Sequence, residues 1–434
     1  MGTIIGVITT AVNIAFFQGL LLLLGIPPLI PKAAILVSFG CALVLTLTYY
    51  KIKNSKFMAF FVFSLLLFSF TVFVSHCLNG AVVKETISFY HYTFTACVAF
   101  FIFSNLPLND ALVAVVLKNF EFLFIFQIIF IFFKFMIVGI TESHIGTISY
   151  QGGAIATIFP LLAISYYMNK FFFVKKRLIY LFFCLSFLFM AFATGKRAIY
   201  FFLPIILFLF VIVKCSLETR EVRQYLKIIA VSTIISTVVF YLGVKGTPSL
   251  NPEHSRWGSF NISHVVDYVK QYNYSPQNKY VDGRMAGLLQ AFRYISEQNF
   301  AILFFGAGPD QLINYKSRDG TEQKFGIGSS GSITGMATYL ISVGVLGSVA
   351  VILPYVLIGI KSYFTLLENN SQIRTSKIVY LKVFVVCAMF VFLIDYIFYT
   401  RSFIHNHALN LVYFILAGIS VNRTVNNRTE NKFF

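Results

Sequence analysis

Residues 4–26 read IIGVITTAVNIAFFQGLLLLLGI, with no charged side chain among them. A helix of that length, rising ~1.5 Å per residue, crosses the ~30 Å hydrocarbon core of a bilayer. The run has no basic lead-in and no small-residue cleavage site, and it is longer than the core of a secretory signal. It reads as a first membrane span. Similar runs recur through all 434 residues, of which 58% are hydrophobic and 12% charged. A soluble domain carries roughly 25% charged residues, so the excess apolar surface needs lipid to cover it. Inside lipid each backbone amide must find its partner within its own segment, which selects helices over open sheets. The expected fold is an all-α polytopic membrane protein.

The apolar pattern predicts twelve spans, at 4–25, 33–50, 57–75, 87–104, 121–140, 152–169, 178–194, 198–213, 226–243, 334–360, 378–400 and 404–421. Spans one to nine thus occupy 1–243, and a long hydrophilic segment follows at 244–333. Spans ten to twelve fill 334–421, and 422–434 is a polar tail. Lys and Arg set the orientation. Lys51, Lys53, Lys56, Lys118, Lys170, Lys175, Lys176, Arg177, Lys214, Arg220, Arg223 and Lys227 fall on one side. Lys361, Arg374, Lys377, Lys382, Arg423, Arg428 and Lys432 join them there. The short loops of the other side hold Lys32, Lys84, Lys196, Arg197 and Arg401. The richer side is cytoplasmic by the positive-inside rule. Both termini are then expected in the cytoplasm and the long segment outside, in the periplasm of a cell that has one. The formal charge of +18 is therefore read as topology, and no nucleic-acid partner is expected. Cys41, Cys77, Cys97, Cys184, Cys215 and Cys387 lie in or beside spans without CxxC or metal-ligand spacing, and read as packing residues.

Polar chemistry collects in YVDGRMAGLLQAFRYISEQNFAILFFGAGPDQ, residues 280–311. Asp282 can cap a helix that starts at Gly283 or Arg284. Met285, Leu288, Leu289, Phe292 and Ile295 then form an apolar stripe, for packing or for lying at the membrane surface. Arg284 sits at the helix N-terminus, where free amides already favour an anion and a guanidinium can add paired hydrogen bonds to phosphate. Arg293 is about half a rotation out of phase and can pair with Glu297, four residues on. The glycines of FFGAGPD (304–310) permit close backbone approach, although a plain turn is the simpler reading.

Ionisable side chains in spans are costly and draw attention to function. Lys134 lies in the fifth span, with snorkelling as the alternative reading. Asp395 lies in the eleventh and can pair with Arg401 of YTRSFIHNH (399–407). Lys196 and Arg197 sit together in ATGKRAIYFFLP (193–204) on the side disfavoured for cations. Arg256 is another cation of the long segment. The segment also carries Trp257, Tyr268, Tyr272 and Tyr274, either sugar platforms or interface anchors. The acidic residues form no DxD-type pair there, so no metal and no other cofactor is expected; arginine and lysine would neutralise a bound diphosphate.

Several of these features resemble the bacterial O-antigen polymerase and O-antigen ligase group. They are the many spans with one large late loop, T-G-K-R at 194–197 heading a span, and G-R at 283–284 before an amphipathic helix and G-x-G. MATYLISVGVLGSV (336–349) is similar to that group's Y-L-x-x-x-G-x-x-G passage into the next span. The ligases carry His-Asn just before that Tyr-Leu. Met336 and Ala337 stand here instead, and the HNH at 405–407 lies in another loop, which favours a polymerase. The resemblance implies a GT-C-like membrane glycosyltransferase of the bacterial inner membrane. It would join undecaprenyl-pyrophosphate-linked repeat units at the periplasmic face, with a lipid-linked donor, a lipid-linked acceptor and a chain-length regulator as partners. Arg197 and Arg284 match the catalytic arginines by position. Lys196, Arg256, Arg293 and Arg401 complete the expected pyrophosphate- and substrate-binding set. The base stays open among Glu253, His254, Asp282 and Asp310. A ligase of the same architecture and a lipid-linked oligosaccharide flippase are the rivals. The flippase predicts short loops throughout and charges lining the midplane.

Overall fold

A computed structural model describes residues 1–52, 55–139, 145–149, 153–174, 177–217, 222–274, 283–314, 325, 327, 333–368 and 379–422. Among them the regular structure is helical, with no strand. Eight helices are long and apolar enough to cross a membrane. They are α3 (Leu29–Tyr49), α4 (Lys56–Asn79), α5 (Val83–Asn105), α6 (Asp110–Val138) and α7 (Ile155–Phe173). The others are α9 (Ala198–Leu217), α15 (Gly335–Glu368) and α16 (Val379–Ile394), the last continued by a turn over Asp395–Tyr399. Four shorter apolar stretches accompany them: α1 (Gly2–Phe16), α8 (Leu178–Ala193), the last part of α10 (Val222–Gly246) and α17 (His407–Val421).

Burial sorts these helices into layers. In the most apolar window of Val379–Tyr399, 78% of residues are buried, against 22% for Asp110–Val138. A helix apolar and buried all round is central, whereas one with Phe122, Phe133 and Ile137 bare on one face needs lipid there. Polar bonds lock the centre. Tyr355 donates to Asn410 Oδ1, Asn410 Nδ2 donates to Ile404 O, and Tyr413 donates to Tyr355 O. These bonds join α15 to α17, and the Tyr355 ring stacks on Phe392 of α16 at 3.7 Å.

Three departures from the apolar pattern have local causes. The first run breaks at Phe17, between α1 and α2 (Gln18–Leu23). There Gly19 N donates to Thr147 O at 2.8 Å and Thr147 Oγ1 donates to Phe16 O at 2.9 Å. A Cβ on Gly19 would stand 2.4 Å from the Ser149 carbonyl carbon, so the close approach needs glycine. The fifth span was expected from residue 121, yet α6 begins at Asp110, because the Asn109 side chain accepts from Leu112 N and caps it. In α15, Gly344 adopts φ 69° and interrupts the helix. The freed carbonyls of Ile341 and Ser342 accept from Ala307 N and Gly308 N, and Ser75 Oγ also donates to Ser342 O. The G-x-G is thus no plain turn; it clasps a broken helix.

Between Gly246 and Gly335 the described elements are short: α11 (Ile262–Tyr274), α12 (Arg284–Ser296), α13 (Phe300–Phe305) and α14 (Gln311–Asn314). Leu288, Ala291 and Ile295 of α12 pack with Ala337, Leu340 and Ile341 of α15, while Leu289 and Phe292 stay exposed. The expected stripe is therefore split, one edge against protein and the other bare. All of these short helices gather at one end of the bundle, called the loop end below.

Candidate functional site

The site is assembled at the loop end from elements far apart in sequence. Gly195, at φ 64°, turns the chain between α8 and α9 and leaves Lys196 and Arg197 half-buried at the head of α9. On α11, Val265 is buried in the main core, which fixes the face that carries Tyr268 and Tyr272 one turn apart. The two rings stack at 5.9 Å. The Arg197 guanidinium carbon lies 5.2 Å from the Tyr268 ring centre and 5.8 Å from that of Tyr272. Arg284, the first residue of α12, lies over the same Tyr272 ring at 5.5 Å and over Tyr399 at 4.2 Å. Two guanidinium groups thus share one tyrosine.

Tyr399 is held from below. It is 4% exposed, its hydroxyl pairs with Thr157 Oγ1 of α7 at 3.1 Å, and its ring meets Phe202 of α9 edge-on. It closes the wider Asp395–Tyr399 turn, in which Thr400 N reaches back five residues to Asp395 O at 2.7 Å. Such wide turns inside membrane helices often mark functional positions. Asp395 is fully buried and spends its carboxylate on Thr400 Oγ1 and Phe403 N, at 2.7 and 2.6 Å. The charge of Arg284 acts on it electrostatically. The expected Asp395–Arg401 pair does not form, because local backbone and hydroxyl donors take the carboxylate first.

Arg197 and Arg284 have no carboxylate within ion-pair distance among the described residues. Each ring contact contributes ~0.5–2 kcal/mol and orients the guanidinium without using its N–H groups. The Arg284 Nε is buried with no hydrogen-bond partner, and an unmet buried donor costs about 1–3 kcal/mol. Tyr272 remains 46% exposed, so the pair opens outward. An anion settling there would meet charge-assisted donors held in place beforehand.

The remaining expected residues separate. Arg256 and Arg293 are exposed, and no hydrogen bond, ion pair or ring contact among the described residues joins them to Arg197 or Arg284. Arg293 does not pair with Glu297 either. Lys196 lies beside Arg197 in the chain and is half-buried. Lys134 donates to Gly146 O at 3.3 Å, a structural tie. Arg401 belongs to a second group: its carbonyl accepts from His405 N at 2.9 Å, and the His405 ring lies 5.5 and 5.9 Å from the rings of Tyr92 and Tyr339. Of the base candidates, Glu253 is fully exposed, and its hydrogen bonds from Ser259 hold its carboxyl below the usual carboxylate range. That makes it a poor proton acceptor. Asp310 accepts from Val82 N at 3.1 Å and pins the start of α5. His254 stands 5.7 Å from His264, ring to ring. Asp282 and the Tyr274 side chain lie outside the described residues.

Sequence reasoning missed two things. Tyr399 looked like one more aromatic residue in an apolar span. His405 lies far along the chain from MATYL, yet its Nε2 comes within 3.4 Å of the Tyr339 hydroxyl. No pattern in either stretch signals that meeting. Set against models of known protein families and against characterised proteins, the chain matches none.

Proposed function

We propose that this chain is a membrane glycosyltransferase that joins lipid-diphosphate-linked oligosaccharide repeat units, an O-antigen-type polymerase. One observation carries the reading: Arg197 and Arg284 converge on Tyr272 without a carboxylate partner among the described residues. In the reaction a hydroxyl of the acceptor sugar attacks the anomeric carbon of the donor glycan. The bond from that carbon to the diphosphate oxygen breaks, the lipid diphosphate leaves, and the hydroxyl proton passes to a base. Charge grows on the departing diphosphate, where preoriented guanidinium groups are worth most.

The finer architecture belongs to the same proposal. Eight long and four shorter apolar helices make twelve crossings of the bacterial inner membrane in a GT-C-like bundle. Both termini are cytoplasmic and 244–333 is periplasmic, which puts the arginine pair at the outer leaflet. A chain-length regulator is the expected protein partner.

Deletion of the gene tests the reading. A surface glycan reduced to a single repeat unit supports it, whereas accumulated lipid-linked polymer beside a bare core identifies a ligase. Little assembled repeat outside the membrane points to a flippase. The ligase reading draws on His405, which the fold brings to Tyr339 despite the missing His at 336–337.

A further inference from the structure

The loop end holds a second basic group around Arg401, which the resemblance counts among the substrate-binding residues but which lies apart from the Tyr272 pair. Lys32 near the start of α3, Tyr92 on α5, and Arg401 and His405 on the connector 400–406 are all half-buried. The Lys32 ammonium lies 5.4 Å from the Tyr92 ring centre, and the rings of His405 and His407 lie 5.5 and 4.5 Å from it. Neither Lys32 nor Arg401 has a carboxylate within ion-pair distance among the described residues. Both belong to the small set of cations on the side of the bundle that the positive-inside bias disfavours.

Beneath this rim lies His407, 1% exposed, with both ring nitrogens buried and unpartnered. A neutral imidazole carries one N–H, so a buried donor there lacks an acceptor. Neighbouring His91 is no substitute. Its Nδ1 is engaged by the carbonyls of Ile87 and Ser88 at 3.2 and 2.9 Å, which leaves Nε2 as a lone pair. The group therefore offers an ammonium, a guanidinium and an unmet N–H, and among its members no negative charge.

We infer that this group is a second diphosphate subsite, with Lys32 and Arg401 as its charged ligands and His407 as the donor beneath them. The inference rests on the transfer reading above, because joining two lipid-linked glycans requires two lipid diphosphates and the Tyr272 pair accommodates one. The connector of 395–407 then serves both: Tyr399 supports Arg284, and Arg401 and His407 line the second subsite.

Native mass spectrometry of the full-length protein in nanodiscs, titrated with undecaprenyl diphosphate, tests it. The wild type is expected to hold two lipids. Arg284→Gln and Arg401→Gln are each expected to hold one, with the lost site weakened about tenfold or more, as removal of a charge-assisted contact implies. Arg401→Lys should recover part of the loss. Lys32→Gln, at a half-buried helix end, carries the same test should Arg401→Gln fail to fold. Two lipids retained in both Arg401→Gln and Lys32→Gln overturn the second subsite. One lipid in the wild type, lost in Arg284→Gln, also overturns it while leaving the transfer reading intact. Two lipids retained in Arg284→Gln, with one lost in Arg401→Gln, instead sink the first site and keep the second. Displacement by inorganic pyrophosphate supports the inference with the bare anion as the recognised group. Resistance to both pyrophosphate and phosphatidylglycerol supports it with the lipid-borne diphosphate as ligand. Displacement by phosphatidylglycerol alone marks a general headgroup site and overturns it.

Discussion

Lys170 and Arg284 are both cations set among tyrosines, yet their surroundings differ. At the end of the bundle opposite the loop end, Lys170 pairs with Glu121 Oε1, and its ammonium also lies 4.7 Å from the Tyr180 ring centre. Tyr166 donates to the same Glu121 oxygen. That charge is neutralised within the protein and needs no outside anion. Arg284 has the tyrosines but, among the described residues, no carboxylate at ion-pair distance; Asp395, which feels its charge, is held by Thr400 and Phe403 instead. Aromatic faces hold a guanidinium in place while leaving its N–H edge for a ligand, whereas a carboxylate consumes that edge. The paired lysine is expected to serve stability and the stacked arginines to serve chemistry.

The comparison breaks first at the arginines. Arg284→Gln and Arg197→Gln should each cut chain growth about 100-fold or more, the scale of losing one preorganised charged donor. Glycan ladders from membranes with normal protein levels measure this, and long chains in both variants would end the assignment. Glu121→Gln should behave oppositely. Lys170 would lose its partner, and stability should fall by ~2 kcal/mol, discounted because Glu121 is 27% exposed. Thermal unfolding in detergent reports this, with turnover per folded molecule unchanged. Tyr272→Ala sharpens the distinction, since it removes the ring that both guanidinium groups share while leaving each its other tyrosine and its charge. A loss of about 2- to 30-fold in transfer is expected from ~0.5–2 kcal/mol of ring contact, with recovery in Tyr272→Phe. Arg293→Ala should change transfer less than about twofold, the surface-residue expectation. A chelator should leave the rate alone if arginines carry the neutralisation.

Legibility followed the range of each interaction. Apolar runs announce helices because lipid acts on every residue of a span, and Arg284 opens its helix where the GR pattern places it. The start of α6 was hidden because 110–120 mixes Asp110, Lys118 and Asn119 into the apolar signal, whereas the Asn109 cap needs only one hydrogen bond. Position in the sequence singled out Arg197 and Arg284, but not the ring they share, since Tyr268 and Tyr272 sit in a helix of mixed polarity. Residues 32, 91, 401 and 407 lie on separate elements with no local pattern. Only the packing of α17 against α5 and of α5 against α3 brings them together.

The clasp between residues 306–308 and the broken turn at 341–344 couples the amphipathic helix region to a membrane-crossing rod. Such rods tilt to match the thickness of the hydrocarbon layer around them. Because Arg284 is carried by a helix packed on that rod and Arg197 by another helix, a change of tilt is expected to change the gap between the guanidinium groups. Lipids of shorter or longer acyl chain should therefore retune the proposed transfer without touching a single residue of the chain.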